Sequence, residues 1–291
     1  MGSAFRALVR SALFLGWTLL LLPIQVAAVA LRLPLAVTIP LVYHGGCLRI
    51  IGLKLETHGR MARVPATLFV ANHASYLDTA VLGALIPGSF IAKREIAGWP
   101  LFGLMAKLQR SVFVDRGTRR DIHAQSQELR RRLEAGDNLI LFPEGTSNDG
   151  NRTLPFKSAL FNVAELETGG RPITVQPVSV AYTRLDGLPL GRGLRPYYAW
   201  YGDMELLPHM WKMLGLGTAT VEVEFHPPVT LAEFDSRKTL SDHCRRVIAH
   251  GLANAISGRP AGEEESQGSA GAAAAPADAL GRTEAALTRG G

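Results

Sequence analysis

The sequence predicts an α/β protein that an apolar N-terminal segment attaches to a membrane. Between residues 48 and 257, short apolar runs alternate with amphipathic runs, and this alternation is typical of strands and helices around a central sheet. Before that region lie 21 residues without a charge, from Ser11 to Leu31, which is long enough to cross a bilayer.

The apolar N-terminus permits more than one arrangement. Arg6 and Arg10 precede the uncharged stretch, Arg32 follows it, and a second apolar run over 33–43 is interrupted by two prolines. We expect either one membrane-spanning helix or a helical hairpin that lies in one leaflet. Because basic residues flank both ends, the positive-inside rule does not choose an orientation. A buried core helix and a cleaved signal peptide remain alternatives.

The net charge and the cysteine count limit the kinds of partner and site that we expect. Its formal charge is +6, and the C-terminal segment 258–291 contributes −2, so the preceding body carries +8. Such a basic body suits an anionic partner, and no paired Cys/His spacing or aromatic-basic box points to nucleic acid. We therefore expect a membrane surface and no nucleic acid as partner. Cys47 and Cys244 are too few for a disulfide framework, and we expect no metal site.

The apolar runs predict six strands, and the amphipathic runs between them predict helices. The strands are predicted at 66–71, 89–94, 111–115, 138–142, 173–182 and 219–225. The helices are predicted at 76–85, 96–108, 119–135 and 157–167, with a last one from residue 239 to about residue 256. Thr118 with Asp121 starts the third helix and Gly136 ends it. Pro177 inside the fifth strand indicates a sheet edge or a bulge.

Composition divides the chain into three parts. Residues 1–46 form a membrane-anchoring segment, and residues 47–257 form the α/β domain. Residues 258–291 are rich in Ala, Gly, Glu and Ser and hold almost no large apolar side chains. Because this last segment cannot bury enough surface to offset the entropy of ordering it, we predict that it is disordered.

The first candidate site is the sequence ANHASYLD at 71–78, which follows a predicted strand and opens a predicted helix. His73 would lie in the turn and Asp78 in the first helical turn. The carboxylate can then orient one imidazole nitrogen while the other faces substrate, which is the arrangement of a general base with its orienting group. The spacing alone is weak evidence, because Ser75 and Asp78 would equally form a capping box.

Two further segments place polar residues after predicted strands. Arg116 follows the third strand, where a guanidinium is well placed to bind a phosphate or carboxylate. Glu144, Gly145 and Thr146 follow the fourth strand, at the edge where ligands bind in open α/β sheets. The Gly145 N–H is a candidate oxyanion donor, and Lys157 is a candidate for an anionic headgroup. Taken singly, these features are more simply a surface ion pair and an ordinary turn.

In this order and spacing, the segments resemble the PlsC-like family of glycerolipid acyltransferases. That family shows an N-H-x4-D box, a strand ending in Arg, an F-P-E-G-T box and a V-P-V-like strand. The matching residues here are Asn72-His73 with Asp78, Phe113-Val114-Asp115-Arg116, Phe142-Pro143-Glu144-Gly145-Thr146, and Gln176-Pro177-Val178. The resemblance covers roughly residues 45–250. It implies a mixed central sheet flanked by helices, with an N-terminal membrane helix or helical hairpin, so that residues 47–257 are the acyltransferase domain.

The resemblance also implies a reaction and roles for the residues. His73 would deprotonate an acceptor hydroxyl, Asp78 would orient the imidazole, and Glu144 and Gly145 would shape the site and its oxyanion environment. Substrate binding would involve Asn72, Arg116, Thr146, Ser147 and Lys157. The donor would be acyl-CoA or acyl carrier protein, used as a substrate without any cofactor or metal. The acceptor would be 1-acyl-glycerol-3-phosphate, which becomes phosphatidate, at the inner membrane with the catalytic domain on the cytoplasmic side.

One position departs from the family pattern. The family sequence usually continues E-G-T-R-S, and its Arg is thought to hold phosphate, whereas Ser147 stands there in this chain. Arg152 or Lys157 would replace that contact if the acceptor carries phosphate. Otherwise the acceptor is a lyso-ornithine lipid, because the segments at 144–161 and 200–211 resemble lyso-ornithine lipid acyltransferases. A lipid thioesterase or hydrolase and a non-catalytic membrane adaptor remain remote alternatives.

Overall fold

Helices pack on both faces of a central sheet in the computed structural model, which describes residues 2–114 and 119–261, with the backbone alone for 119–124. Its α-helices are α1 (Ala4–Ala30), α2 (Leu35–Ile51), α3 (Leu77–Leu85), α4 (Phe102–Leu108), α5 (Arg119–Glu134), α6 (Leu206–Gly215) and α7 (Arg237–Ser257). Its strands are β1 (Leu53–Gly59), β2 (Leu68–Ala71), β3 (Gly88–Lys93), β4 (Val112–Val114), β5 (Asn138–Leu141), β6 (Glu167–Thr168), β7 (Arg171–Pro172), β8 (Thr174–Leu185), β9 (Leu188–Pro189), β10 (Ala219–Phe225) and β11 (Val229–Thr230).

The strand order in the main sheet is β1-β10-β8-β2-β5-β3-β4, and the short β9 and β11 also pair with β8. Strands β8, β2, β5, β3 and β4 run parallel to one another, whereas β10 is antiparallel to β8. Strand β1 is parallel to β10, and β6 pairs with β7 in a separate ribbon. The sheet is therefore mixed and flanked by helices, which confirms the fold that the family resemblance implies.

Alternate residues of the central strands face opposite helical layers. On β2, Phe69 belongs to the core shared with α1, α2, α3 and α6, whereas Leu68 and Val70 belong to the core shared with α5 and α7. Ile140 and Leu141 on β5 divide in the same way. Because side chains along a strand point alternately to the two faces, strands covered on both sides read as continuous apolar runs.

The predicted strands and three of the predicted helices lie close to the observed ones, but two helices differ. The predicted helix at 96–108 is wrong as one element, because a 3-10 helix ends at Gly98 and α4 begins only at Phe102. Between them lie Pro100, which has no N–H, and Leu101, whose φ of +60° interrupts the helical path. The predicted helix at 157–167 is a 3-10 helix, Ser158–Glu165.

Pro177 does not mark a sheet edge, because β8 lies between β2 and β10 in the sheet. The β10 pairing ends where Phe225 meets Val178, and the β11 pairing begins where Val229 meets Val175. Pro177 therefore falls in the gap between two neighbours, where its missing N–H costs no ladder hydrogen bond. The expected capping residue Thr118 lies outside the described residues, whereas Gly136 does end α5, with a φ of +80°.

The apolar N-terminus forms two antiparallel helices, α1 and α2. The indole Nε1 of Trp17 donates to the Tyr43 carbonyl at 3.0 Å, and a Cβ on Gly46 would overlap the Trp17 ring. Within the described residues, α1 is the helix whose length and composition would let it cross a membrane. The boundary expected between residues 46 and 47 falls inside α2, and residues 2–261 belong to one compact unit. Most of the segment predicted to be disordered, 262–291, lies outside the described residues.

Two arginines attach the start of α1 to the loop after α6. Arg6 Nη1 donates to the Leu216 carbonyl at 2.9 Å, and Arg10 Nη1 donates to the same carbonyl at 2.8 Å and to the Leu214 carbonyl at 3.1 Å. Charged donors on buried carbonyls make strong hydrogen bonds. The two residues that flank the apolar stretch in the sequence therefore fix α1 to the rest of the fold.

Candidate active site

A cavity of about 300 Å³ lies between the α1–α2 pair and the sheet, and its walls are mostly apolar. Helices α3, α4 and α6 also contribute to its lining, as do Phe90 and Ala92 of β3. His73 reaches the cavity from the turn after β2, at the carboxyl end of the parallel strands. Ligands of open α/β sheets bind at that edge, so the position of His73 fits a reacting group.

His73 and Asp78 form a hydrogen-bonded pair. The Nδ1 atom of His73 lies 2.9 Å from Oδ2 of Asp78, and the carboxylate side chain is 1% exposed, whereas that of His73 is 21% exposed. A carboxylate accepts hydrogen bonds, so Nδ1 carries the proton and Nε2 keeps a lone pair. The ring also stacks on Phe142, with centroids 4.2 Å apart, which restricts its rotation. The pair is therefore arranged as a general base and its orienting group.

The Asp78 carboxylate is itself held by three other donors. Its Oδ2 accepts from the backbone N–H groups of Ala74 at 2.7 Å and Ser75 at 2.9 Å, and its Oδ1 accepts from the Tyr182 hydroxyl at 2.8 Å. Asp78 thus closes the turn that carries His73, in the manner of a helix-capping residue. The sequence presents capping and orientation of His73 as alternatives, and the Asp78 side chain makes the contacts of both.

Glu144 fixes the backbone of the same turn from the neighbouring strand. Its Oε1 accepts from the His73 N–H at 3.0 Å, and its Oε2 accepts from Asn148 Nδ2 at 2.7 Å and from the Leu154 N–H at 3.1 Å. Burial raises the pKa of Glu144 to about 7, even though these three donors favour the carboxylate. Glu144 is 2% exposed and acts on the position of His73.

Gly145 was expected to donate its N–H to an oxyanion, but in the structure it serves the turn after β5. Its N–H donates to the Phe142 carbonyl at 3.1 Å within the turn, so it is already used. Gly145 has a φ of +67°, and a Cβ there would meet the ammonium of Lys157. The absence of a side chain thus lets Lys157 approach the Glu144 turn. Thr146 and Lys157 are both exposed, where they can meet a headgroup.

Two residues expected to bind substrate instead connect parts of the protein. Asn72 is 2% exposed, and its amide donates to the Val180 carbonyl and accepts from the Val180 N–H, at 2.9 and 2.8 Å. Its side chain thus extends the β2–β8 pairing past Ala71. The Ser147 hydroxyl donates to the Trp200 carbonyl, and the Trp200 N–H donates to the Ala74 carbonyl at 2.9 Å. Ser147 therefore helps to hold Trp200, which lines the cavity beside His73.

Arg116, the expected headgroup ligand, lies outside the described residues. Asn148 and Tyr182 support the His73–Asp78 pair, and the sequence gives no sign of either. Asn148 reads as part of an Asn-Asp-Gly turn, and Tyr182 reads as the end of a strand more than 100 residues from Asp78. Within 2–114 and 119–261, no group of three His, Cys, Asp or Glu side chains is placed to hold a metal.

A second set of catalytic-type residues lies elsewhere in the fold. Where the end of β10 pairs with β8, His226 Nε2 is hydrogen-bonded to the Ser179 hydroxyl, and its Nδ1 lies 3.7 Å from a Glu224 carboxylate oxygen. This is the residue combination of a serine hydrolase. Ser179 is 2% exposed and His226 is 8% exposed, and neither lines the cavity. Burial lowers the pKa of His226 to about 4, so its ring is neutral.

Known proteins that are similar to this chain are acyltransferases, which agrees with the geometry around His73 and Asp78. The acyltransferase family matches residues 54–181, which include the His73, Asp78 and Glu144 segments. The chain is 41% identical to the lyso-ornithine lipid O-acyltransferase of Brucella abortus over 245 residues, which are 83% of this chain and 92% of that protein. It is 34% identical to the 1-acyl-sn-glycerol-3-phosphate acyltransferase of Neisseria gonorrhoeae over 204 residues, which are 70% of this chain and 76% of that protein.

The fold also matches a solved structure. The crystal structure of the 1-acyl-sn-glycerophosphate acyltransferase PlsC from Thermotoga maritima superposes with a TM-score of 0.56, over 74% of this chain and 78% of that one, at 22% identity. With its mixed sheet, its His73–Asp78 pair and these relatives, the chain belongs to the PlsC-like family of acyltransferases.

Proposed function

We propose that the protein transfers a fatty acyl chain from an acyl thioester to the hydroxyl of a lysolipid, with His73 as general base. The observation that carries this proposal is the His73–Asp78 pair, which leaves Nε2 of the imidazole available beside an apolar cavity. A base at this position needs an acceptor hydroxyl and an acyl group, and the cavity can hold the apolar chain that accompanies either.

The proposed acyl transfer conserves atoms and charge with the two substrates and His73 alone. The acceptor O–H gives its proton to Nε2 of His73, while Nδ1–H remains bonded to Asp78, and the imidazolium is stabilised by that carboxylate. The acceptor oxygen forms a bond to the thioester carbonyl carbon, and the carbon–sulfur bond breaks. The leaving thiolate takes the proton back from His73, so the products are an ester and a free thiol. The donor is acyl-CoA or acyl carrier protein, and no metal enters the reaction.

We infer that the acceptor is a lyso-ornithine lipid. Two relatives that match more than four fifths of this chain carry that name, and one of them, from Rhizobium meliloti, is 36% identical over 89% of this chain. Ser147 supports the same acceptor, because its hydroxyl is engaged by the Trp200 carbonyl and offers no charge to a phosphate. An ornithine headgroup carries both an ammonium and a carboxylate, so it needs less positive charge than a phosphate does.

Lysophosphatidate, 1-acyl-glycerol-3-phosphate, is the second candidate acceptor. The Neisseria gonorrhoeae relative acts on it by name, and the sequence offers Arg116 and the exposed Lys157 beside Gly145 for an anionic headgroup. The product would then be phosphatidate. The two acceptors share one reaction and differ only in the headgroup, so His73 serves both equally.

We propose further that α1 and α2 attach the enzyme to the cytoplasmic side of the inner membrane. Large apolar side chains are exposed along α1, namely Phe5, Leu8, Leu13, Leu15, Leu19, Leu20 and Ile24. An exposed apolar surface of this size suits a lipid partner. Its opposite side lines the cavity, so a lipid acceptor and its chain would pass directly between the bilayer and His73.

The test is acyl transfer by the purified full chain in detergent micelles, with a radiolabelled acyl thioester. Lyso-ornithine lipid and lysophosphatidate are supplied separately, and the His73→Ala protein is the control. Product from lyso-ornithine lipid at a kcat/KM at least about tenfold above that for lysophosphatidate is the expected result, since loss of one charged contact is worth about that factor.

A preference for lysophosphatidate would replace the proposed acceptor and keep the reaction. If neither acceptor yields product, or if His73→Ala matches the wild-type rate, the proposed function is wrong.

A further inference from the structure

One wall of the mostly apolar cavity carries buried polar side chains. Gln25 of α1 lines it and is 6% exposed. The side-chain Nε2 of Gln25 donates to the Ala36 carbonyl at 3.1 Å and to the Leu108 carbonyl at 2.7 Å. Because both partners are carbonyls, the orientation of this amide is fixed, and its Oε1 is the atom left over. No hydrogen bond from the described residues reaches this buried oxygen.

A second pair of polar side chains lies beside Gln25. His44 of α2 lines the cavity, and its Nε2 lies 2.9 Å from Oε1 of Gln109, which lines the cavity as well. Burial lowers the pKa of His44. Because the Gln109 oxygen can only accept, Nε2 of His44 carries the hydrogen and donates it. Gln109 follows Leu108, whose carbonyl accepts from Gln25, and both glutamines line the cavity. We call Gln25, His44 and Gln109 the polar cluster.

The polar cluster lies away from the reacting end of the cavity. Asp78, which holds His73, is in the first turn of α3, whereas the His44 ring packs against Gly83 near the end of that helix. Five residues of α-helix span about 7.5 Å. The Ser89 hydroxyl beside Gln109 is at the amino end of β3, and His73 is at the carboxyl end of the sheet. An acyl chain that reacts at His73 therefore meets the cluster along its length and not at its thioester.

The donors and acceptors of the cluster specify the group that would fit there. The Gln25 oxygen accepts and needs a partner that donates a hydrogen. The Oε1 of Gln109 is bonded to His44, so the Nε2 of Gln109 is the group that can donate to a ligand. An alcohol can donate to the first amide and accept from the second, whereas a ketone or an ester can only accept. A plain hydrocarbon chain leaves the buried Gln25 oxygen without a partner, which costs free energy.

We propose that this cavity selects an acyl chain that carries a hydroxyl group in its middle part, with Gln25 and Gln109 as the residues that recognise the hydroxyl. The inference rests on the proposed function, because it assumes that the cavity holds the chain being transferred. It adds the substrate class of the donor, a hydroxylated fatty acyl thioester.

The experiment compares acyl donors in direct competition, with the purified full chain and whichever lysolipid it accepts. The donors are octadecanoyl-CoA and its derivatives with one hydroxyl or one keto group at carbon 8, 10 or 12. The ratio of kcat/KM values in one tube does not depend on the fraction of folded enzyme. The wild type is expected to prefer one of the hydroxylated chains about fivefold over octadecanoyl-CoA, and to show no preference for the keto chains.

Three variants assign that preference to the cluster. Gln25→Leu and Gln109→Leu are each expected to bring the hydroxyl-to-plain ratio to about one. Leu22→Met, which changes an apolar residue of the same wall and helix, is expected to keep the wild-type ratio. Gln109→Leu serves as the second variant, because Gln25 also connects α1 to α2 and α4 and its loss can lower stability.

Two results would overturn the inference. In one, the wild type uses hydroxylated and plain chains equally. In the other, it rejects hydroxylated chains while Gln25→Leu accelerates transfer of the plain chain, which would make the cluster a limit on chain length. Failure of the proposed function looks different, because no donor of the set would then acylate either lysolipid.

Discussion

His73 and His226 are two histidines of one chain with similar neighbours and opposite surroundings. Each lies beside a carboxylate, and His226 also has a serine hydroxyl, so by composition it is the better hydrolase site. Yet His73 borders a cavity, whereas His226 is covered by α7 at Gly251, where a Cβ would overlap Ser179 Oγ. Access to a substrate-sized space, and not the set of residue types, separates the proposed general base from the histidine that only supports the fold.

The two histidines also differ in whether a ring nitrogen remains available for a substrate. Nδ1 of His73 is bonded to an aspartate that three other groups hold in place, and its Nε2 remains for substrate. His226 uses Nε2 on Ser179, and Glu224 is too distant from Nδ1 for a hydrogen bond. A catalytic group thus keeps one atom uncommitted, whereas a structural group uses its atoms on the fold.

The largest expected effect is a difference in kcat between variants of His73 and His226. His73→Ala should lower kcat for acyl transfer about 10²- to 10⁴-fold, the usual contribution of a general base. His226→Gln, which can still bond Ser179, should leave kcat unchanged. Steady-state kinetics of both purified variants measure this. Comparable losses in the two variants would contradict the assignment of His226 to the fold.

The second prediction concerns the pH dependence of stability, because burial raises the pKa of Glu144, which holds the His73 turn, and lowers the pKa of His226. The pKa of Glu144 rises from 4.5 to about 7, so its contribution to stability is present below pH 4.5 and is lost as the pH rises through 7. The pKa of His226 falls from 6.5 to about 4, so its contribution is present above pH 6.5 and is lost as the pH falls through 4. Each contribution is at most about 3 kcal/mol.

Unfolding free energies from pH 5 to pH 8 test this. The difference between wild type and Glu144→Gln should become smaller as the pH rises, whereas the difference between wild type and His226→Gln should become larger. Two differences that change with pH in the same direction would show that the assigned environments are wrong.

The smallest expected effect concerns the cover over His226. Gly251→Ala should cost about 1–3 kcal/mol of unfolding free energy, because the new Cβ would overlap Ser179, His226 and Glu224. The kcat of the folded variant should not change. Gly191→Ala is the matched control, since a Cβ there meets no atom within 4 Å. Denaturant unfolding measures the free energy of unfolding of both variants. Equal values would mean that α7 is not tightly packed on Ser179, His226 and Glu224.

Local sequence patterns sufficed for much of the fold and for the centre of the site. Strand β2 is the apolar run LFVA, and His73 lies two residues after it. Strand β5 ends in the apolar run 139–141, and Glu144 lies three residues after it. The spacing of His73 and Asp78 places them in contact because a turn and a helix start lie between them. Strand β1, with the sequence LKLETHG, was not predicted, since its alternation of apolar and polar residues is short.

Contacts between distant segments could not be predicted. Asn72 bonds Val180, Tyr182 bonds Asp78, and Ser147 bonds Trp200, and each pair depends on which strands and loops become neighbours. A single sequence carries no signal for such pairings, so Asn72 and Ser147 were expected to bind substrate. Gly145 was expected to offer its N–H to an oxyanion because the turn hydrogen bond to Phe142 is invisible in the sequence.

The α1–α2 pair supplies 11 of the 30 residues that line the cavity, and Gln25 ties α1 to α2 and α4. The part of the protein that an experimenter would remove to obtain a water-soluble enzyme is therefore also a wall of the compartment beside His73. Deleting residues 1–46 would open that compartment to solvent and leave His73 without an enclosed space for a long chain. We therefore expect the full chain to need detergent around the outer face of α1, because the exposed apolar surface and the cavity wall are two sides of the same helix.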